Sequence, residues 1–196
     1  MNKKLKYAGF IALIIILCFS LFSCNKIKAL VCNSAGELSV GLAQYTPNTP
    51  QNPIQVTLIV DDLEGIGELL TSTGKYVSLD LSRSTGLTSI PGMAFYECPY
   101  LTKIIIPASV SIIDGLAFFN CTNLISANIP ASVTNIVLAP FGGSTNLNAI
   151  NVDSKSARFI SENGILYNKE KTTLIQCPAG KKGSIELPSG VTAYSY

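Results

Sequence analysis

The chain has 196 residues, enough for one ordinary domain and a leader, and its formal net charge is +2. It contains no His and no Trp, which excludes the Ser-His-Asp and Cys-His catalytic arrangements and every zinc site that uses His. Three Lys residues lie in the leader, and the other basic residues form no cluster that would neutralise a run of phosphates. No nucleic-acid partner is therefore predicted.

Residues 1–23 have the pattern of a secretory signal, with three Lys residues and then an apolar run that ends at Phe22. The following residues, Ser23 and Cys24, complete the sequence LFSC, which resembles the lipobox of bacterial lipoproteins. Phe22 is larger than the residue usually found at its position. The resemblance implies cleavage before Cys24, lipidation of the Cys24 sulfur and attachment to a bacterial membrane. The alternative is an uncleaved N-terminal membrane helix.

Residues 24–53 are predicted to form a flexible tether. The stretch from Gln44 to Pro53 holds three Pro residues among Asn, Thr and Gln, and these residue types favour neither helix nor strand. A tether would let a lipid-anchored domain clear the membrane surface. The alternative is a disordered stretch of no particular use.

Residues 54–75 are predicted to form a small N-terminal α/β cap over the apolar edge of the repeats that begin at residue 76. The β-branched run from Ile54 to Val60 indicates a strand. Asp61 and Asp62 then offer an N-cap for a short helix that ends near Gly74. The apolar side of that helix would carry Leu63, Ile66, Leu69 and Leu70, whereas Gly65 and Gly67 weaken its helix propensity.

Residues 76–153 repeat with a period of 23 residues. Ala94-Phe95 returns as Ala117-Phe118, and Cys98 returns as Cys121. Each repeat also holds two apolar residues two positions apart, which point to one face of a strand. These pairs are Leu79/Leu81, Ile104/Ile106, Ala127/Ile129 and Ile150/Val152. Parallel strands stacked in this register would bury one continuous ladder, with Phe95, Phe118 and Phe141 filling the interior of the return path.

The segment LTSIPGMAFYECPYLTKIIIPASVSIIDGLAFFNCTNL resembles the BspA-like (treponemal-type) leucine-rich repeats, because Pro-x-Ser-Val and Ala-Phe-x-x-Cys recur in one register. The resemblance covers about residues 76–152 and resumes at residues 185–191. It implies a leucine-rich-repeat solenoid of short parallel strands with irregular or short helical return arms. It also implies a cell-surface location and attachment to host proteins or other cells.

Residues 154–182 break the period and are predicted to form a β-hairpin insert of three short strands, with a tight turn at Asn163-Gly164. Residues 183–196 are predicted to be the start of a further, incomplete repeat. No terminal cap is visible in the sequence, so a strand edge and apolar interior are expected to be exposed unless a partner covers them.

Two groups of side chains raise the question of chemistry. Cys98 and Cys121, one period apart, are either a disulfide or small buried thiols, and Ser144 at the next equivalent position favours the packing role. Asp61, Asp62 and Glu64 are either a cation site or the acidic start of a helix, and the helix start is favoured. No metal, cofactor or catalytic residue is predicted.

A ligand-binding surface is predicted from strand alternation, since the residues between the buried positions face outward. They are expected to line the concave face that solenoids commonly use, although a solvated face with the true contact elsewhere is the alternative. The predicted residues are Ser78, Asp80, Lys103, Ile105, Ser126, Asn128, Ala149 and Asn151.

These features predict a lipid-anchored bacterial cell-surface protein that binds a protein or glycoprotein, possible ligands including host extracellular matrix, and that is not an enzyme. The ligand assignment depends mainly on the resemblance. The alternative function is that of a truncated paralogue or a structural envelope lipoprotein without a dedicated ligand, which is motivated by the missing terminal cap.

Overall fold

A computed structural model describes residues 29–194, so the leader and Cys24 lie outside the described residues. This range contains three sheets and two helices. None of the helices in this range has the length and hydropathy of a membrane span. The elements are β1 (Leu30–Cys32), α1 (Ala35–Ala43), β2 (Ile54–Leu58), α2 (Ile66–Thr73), β3 (Val77–Asp80), β4 (Ser89–Ile90), β5 (Leu101–Ile105), β6 (Ile112–Ile113), β7 (Ser126–Ile129), β8 (Asn135–Ile136), β9 (Ala149–Val152), β10 (Phe159–Glu162), β11 (Ile165–Asn168), β12 (Thr173–Gln176) and β13 (Ala193–Tyr194).

The main sheet has six parallel strands in the order β1-β2-β3-β5-β7-β9. Its register confirms the apolar ladder expected from the sequence, because Leu79, Ile104, Ala127 and Ile150 follow one another in a row across successive strands. All four of these side chains have 0% of their surface exposed. No single repeat has enough apolar surface to bury its own strand, so each strand is stabilised by its neighbours.

The return arms stack in the same register as the strands. The rings of Phe95, Phe118 and Phe141 lie parallel in the interior, with centroids 5.4 and 5.1 Å apart. Successive arms are also joined through the backbone, as where the Phe118 N–H donates to the Pro140 carbonyl at 2.7 Å. A second parallel ladder, β4-β6-β8, follows the outer part of each arm.

The flexible tether predicted for residues 24–53 is wrong between Leu30 and Ala43. β1 adds to the edge of the main sheet beside β2, and α1 buries Leu38 and Leu42 in the common core. Ser34 caps α1 by accepting the N–H of Glu37 at 3.2 Å. Two apolar residues four positions apart lie on one face of a helix, and here that face packs against β1 and α2.

The Pro-rich part of the same segment is held by a side chain. The amide of Asn48 donates to the Tyr76 carbonyl at 2.7 Å, and its oxygen accepts the Tyr76 N–H at 2.9 Å. Two hydrogen bonds to one backbone residue fix this stretch against the start of β3 without helix or ladder structure.

The helix predicted after Asp61 and Asp62 begins later than expected. α2 starts at Ile66, and its N-cap is Gly65 in the left-handed conformation (φ 71°), with no side-chain cap. Asp62 instead accepts the Glu64 N–H at 3.1 Å in a local turn. The predicted capping role of these carboxylates is therefore wrong. α2 buries Ile66 and Leu70.

After β9 the chain forms a separate sheet in the order β10-β11-β12-β13. β10, β11 and β12 are antiparallel, and the turn at Asn163-Gly164 lies against the main sheet. The Ile150 N–H donates to the Gly164 carbonyl at 2.8 Å, and Leu166 joins the common core. This contact covers the side of β9.

The predicted further repeat at residues 183–196 is described as far as Tyr194, and it adds no strand to the main sheet. β13 pairs in parallel with β12, where Thr173 lies beside Ala193. The turn before it resembles that of the earlier repeats, because the Val191 N–H donates to the Pro188 carbonyl as the Val110 N–H donates to that of Pro107.

Candidate binding surface

The outward face of the main sheet carries two rows of side chains that run across the strands. Sheet register brings all the predicted residues into these rows. The first row is Gln55, Ser78, Lys103, Ser126 and Ala149, and the second row is Thr57, Asp80, Ile105, Asn128 and Asn151. We call these ten residues the outward rows.

Sequence reasoning missed Gln55 and Thr57, because the strand that carries them was assigned to a cap. The alternation of buried Ile54, Val56 and Leu58 was the available signal, since it places the residues between them on the opposite face. The repeat surface therefore extends onto β2.

The side chains of the outward rows differ in their exposure. Lys103, Asn128 and Asn151 are exposed, whereas Ser78 has only 9% of its surface exposed and contributes little. The Asn151 amide donates to the Asn128 side-chain oxygen at 3.0 Å, which orients both groups across neighbouring strands. Asp80 accepts the Ser82 N–H at 2.8 Å.

The outward rows present a mostly polar surface. Amides and hydroxyls dominate it, with one Lys, one Asp and one aliphatic side chain of note, Ile105, which is partly exposed. Such groups donate and accept hydrogen bonds, and Lys103 and Asp80 add one charge of each sign. Among residues 29–194, no group of three or more Cys, Asp or Glu residues is arranged to hold a metal ion.

The repeated cysteines have a structural role. Cys98 and Cys121 are free thiols with 0% exposure. The Cys121 Sγ donates to the Phe95 carbonyl at 3.0 Å, and one repeat later the Ser144 Oγ donates to the Phe118 carbonyl at 2.9 Å. Burial raises the pKa of both thiols, so both stay protonated, and Cys121 keeps the hydrogen that its bond requires.

Comparison with known families agrees with this geometry. A profile of the BspA type leucine rich repeat region matches six copies across residues 71–180, which is more than half of the chain. The chain belongs to the BspA-type leucine-rich-repeat family. No curated protein sequence matches it significantly.

Two solved structures share the fold of this BspA-type chain. The pneumococcal vaccine antigen PcpA is 20% identical with a TM-score of 0.54, and the match covers 77% of this chain and 44% of that protein. A leucine rich cell surface protein from Faecalibacterium prausnitzii is 20% identical with a TM-score of 0.51, covering 70% and 47% of the two chains. The chain thus spans less than half the length of either protein. Leucine-rich repeats of this kind generally serve protein interaction rather than catalysis.

Proposed function

We propose that this BspA-type protein is exported, held at the bacterial cell surface by a lipid on Cys24, and binds a protein or glycoprotein ligand through the outward rows. The observation that carries the proposal is the continuous register from β2 to β9, which aligns ten side chains on one face. The surface location of the Faecalibacterium protein supports the assignment. Host extracellular matrix is the ligand class we propose first.

The outward rows would bind through many weak contacts. The exposed amides of Asn128 and Asn151 offer donors and acceptors to a polypeptide backbone or to sugar hydroxyls. Ile105 adds an apolar contact beside them, and Lys103 adds one positive charge. Because each contact is weak, strong attachment would depend on avidity, which rises with the number of copies that one cell presents.

The binding proposal predicts a loss of affinity when the centre of the outward rows is truncated. Lys103, Ile105 and Asn128 are replaced together by Ala, and binding to a panel of immobilised extracellular-matrix proteins is measured. We expect Kd to rise at least about tenfold for the matrix protein that binds the wild type, because central contacts contribute most of the affinity.

A matched control carries Asn135, Val137 and Leu138 replaced by Ala, which removes one amide and two aliphatic side chains from the exposed part of a return arm. This variant is expected to bind as the wild type does. An unchanged Kd in a folded outward-row variant, or an equal loss in the control, would exclude these rows as the ligand site.

The anchor is proposed from the lipobox resemblance at Cys24. Cells grown with a radioactive fatty acid are expected to label the wild-type protein, and Cys24→Ala is expected to abolish the label, because the sulfur of Cys24 is the proposed acceptor. Cys177→Ala serves as the control, since Cys177 is a free thiol of the folded domain. Label that persists in Cys24→Ala would contradict lipidation. Digestion of the native protein by protease added to intact cells tests the surface location separately.

A further inference from the structure

The segment after the insert presents apolar side chains that earlier repeats bury. Ile185 and Leu187 occupy the positions that Ile104 and Ile106 occupy in an earlier copy, as the shared spacing to the following Pro shows. Ile104 and Ile106 are 0% and 5% exposed, whereas Ile185 and Leu187 are 38% and 40% exposed. Ile104 lies between two neighbouring strands, beside Leu79 and Ala127.

The opposite end of the molecule has a matching feature. β1 is the terminal strand of the main sheet, so one of its two edges has no strand partner among residues 29–194. Val31 on this strand lies beside Thr57 on the outward face, and it and Val40 on α1 are 50% and 55% exposed. An edge strand with exposed apolar side chains is a template for a further strand.

The two ends also differ in charge. Residues 29–70, which include β1, α1 and β2, contain no basic and 5 acidic residues, among them Glu37, Asp61, Asp62 and Glu64. Residues 181–187 contain two basic residues and one acidic residue, Glu186, a net charge of +1. The Lys181 Nζ donates to the Asn163 carbonyl at 2.6 Å. Complementary charge of this kind steers one surface to the other and sets their orientation.

We propose that a second copy of this chain docks head to tail, with the N-terminal end of one copy (β1, α1 and the carboxylates after β2) against residues 181–187 of the next. The apolar positions at 185 and 187 meet the β1 edge, and the flanking Lys residues face the carboxylates. An interface between two different ends does not close on itself in a dimer, so it extends into short arrays.

The test uses the full chain in dilute detergent, as a mixture of nitrogen-15-labelled and unlabelled copies. A zero-length carbodiimide joins carboxylates to amines in contact, and mass spectrometry identifies crosslinks of mixed isotope. We expect mixed crosslinks from Lys181 or Lys182 to Glu37, Asp61, Asp62 or Glu64. The yield should fall about tenfold or more in the double variant Lys181→Glu, Lys182→Glu, because reversed charges repel the acidic end.

Two further samples decide the interpretation. Mixing that double variant with the triple variant Asp61→Lys, Asp62→Lys, Glu64→Lys should restore mixed crosslinks. Positions 181 and 182 then supply the carboxylates, and positions 61, 62 and 64 supply the amines. The control Lys155→Glu, Arg158→Glu makes the same change in net charge at two exposed residues outside both docking surfaces and the outward rows, and should crosslink as the wild type does. The absence of mixed crosslinks in the wild type, a lack of rescue, or an equal loss in the control would each overturn the proposal.

Discussion

Phe118→Ala is expected to lower the free energy of unfolding by about 3–5 kcal/mol, the usual cost of removing a buried aromatic ring. Phe118 has 0% exposure and is the middle ring of the interior stack, so its loss removes contacts with both Phe95 and Phe141. A solenoid has no other core to compensate, because each repeat is stabilised by its neighbours. Denaturant unfolding followed by circular dichroism measures the change.

Phe119→Ala is the matched control for this prediction. Phe119 is the next residue in the chain, and its ring stacks on Tyr96 with centroids 5.5 Å apart, but Tyr96 is exposed and Phe119 is only partly buried. We expect a loss of about 1 kcal/mol, the size of one aromatic pair contact. If the two variants were equally destabilised, the interior stack would not be the main support of the return arms.

Gly67→Ala is expected to destabilise the protein by about 1–3 kcal/mol, although Ala is a better helix former than Gly. A Cβ at position 67 would lie within 2.4 Å of the Ala94 carbonyl oxygen and 3.2 Å of the Phe95 Cα. Both atoms belong to the backbone of the first return arm, so the helix would have to move away from the repeats. The same unfolding measurement detects the loss.

Gly36→Ala provides the opposite expectation in the other helix. Gly36 lies in the first turn of α1, and the nearest atom to an added Cβ is the Ser34 Oγ at 3.9 Å. With free space, the higher helix propensity of Ala is expected to raise stability by up to about 0.5–1 kcal/mol. A stabilising effect in both variants would show that α2 does not need its close approach to the first repeat.

The tests of binding and of self-association change different residues, so the two proposals can fail independently. The outward rows lie on one face of the main sheet, from Gln55 to Asn151. The docking surfaces are the N-terminal end of one copy and residues 181–187 of the next. A BspA-type protein with both properties would present its ligand-binding face in rows, which increases avidity without a new contact to the ligand.

The sequence alone determined the repeat register, the buried ladder and the outward residues of β3, β5, β7 and β9. The reason is that neighbouring repeats share one sequence pattern, so the pattern of a repeat predicts which residues it meets in the next. Leu79, Ile104, Ala127 and Ile150 recur at near-constant spacing, and strand alternation then assigns the face of every residue between them. The stacking of Phe95, Phe118 and Phe141 followed from the same periodicity.

The conformation and packing of the segments that do not repeat could be read only from the tertiary structure. Leu38 and Leu42 are too few to mark α1 within a polar stretch, and they become a buried face only because α1 packs against β1 and α2. Gly67 weakened the helix prediction, yet contact with the first return arm requires it. β13 pairs with β12 rather than with the main sheet. Each of these depends on a partner distant in the chain, and periodicity carries no information about a partner that does not repeat.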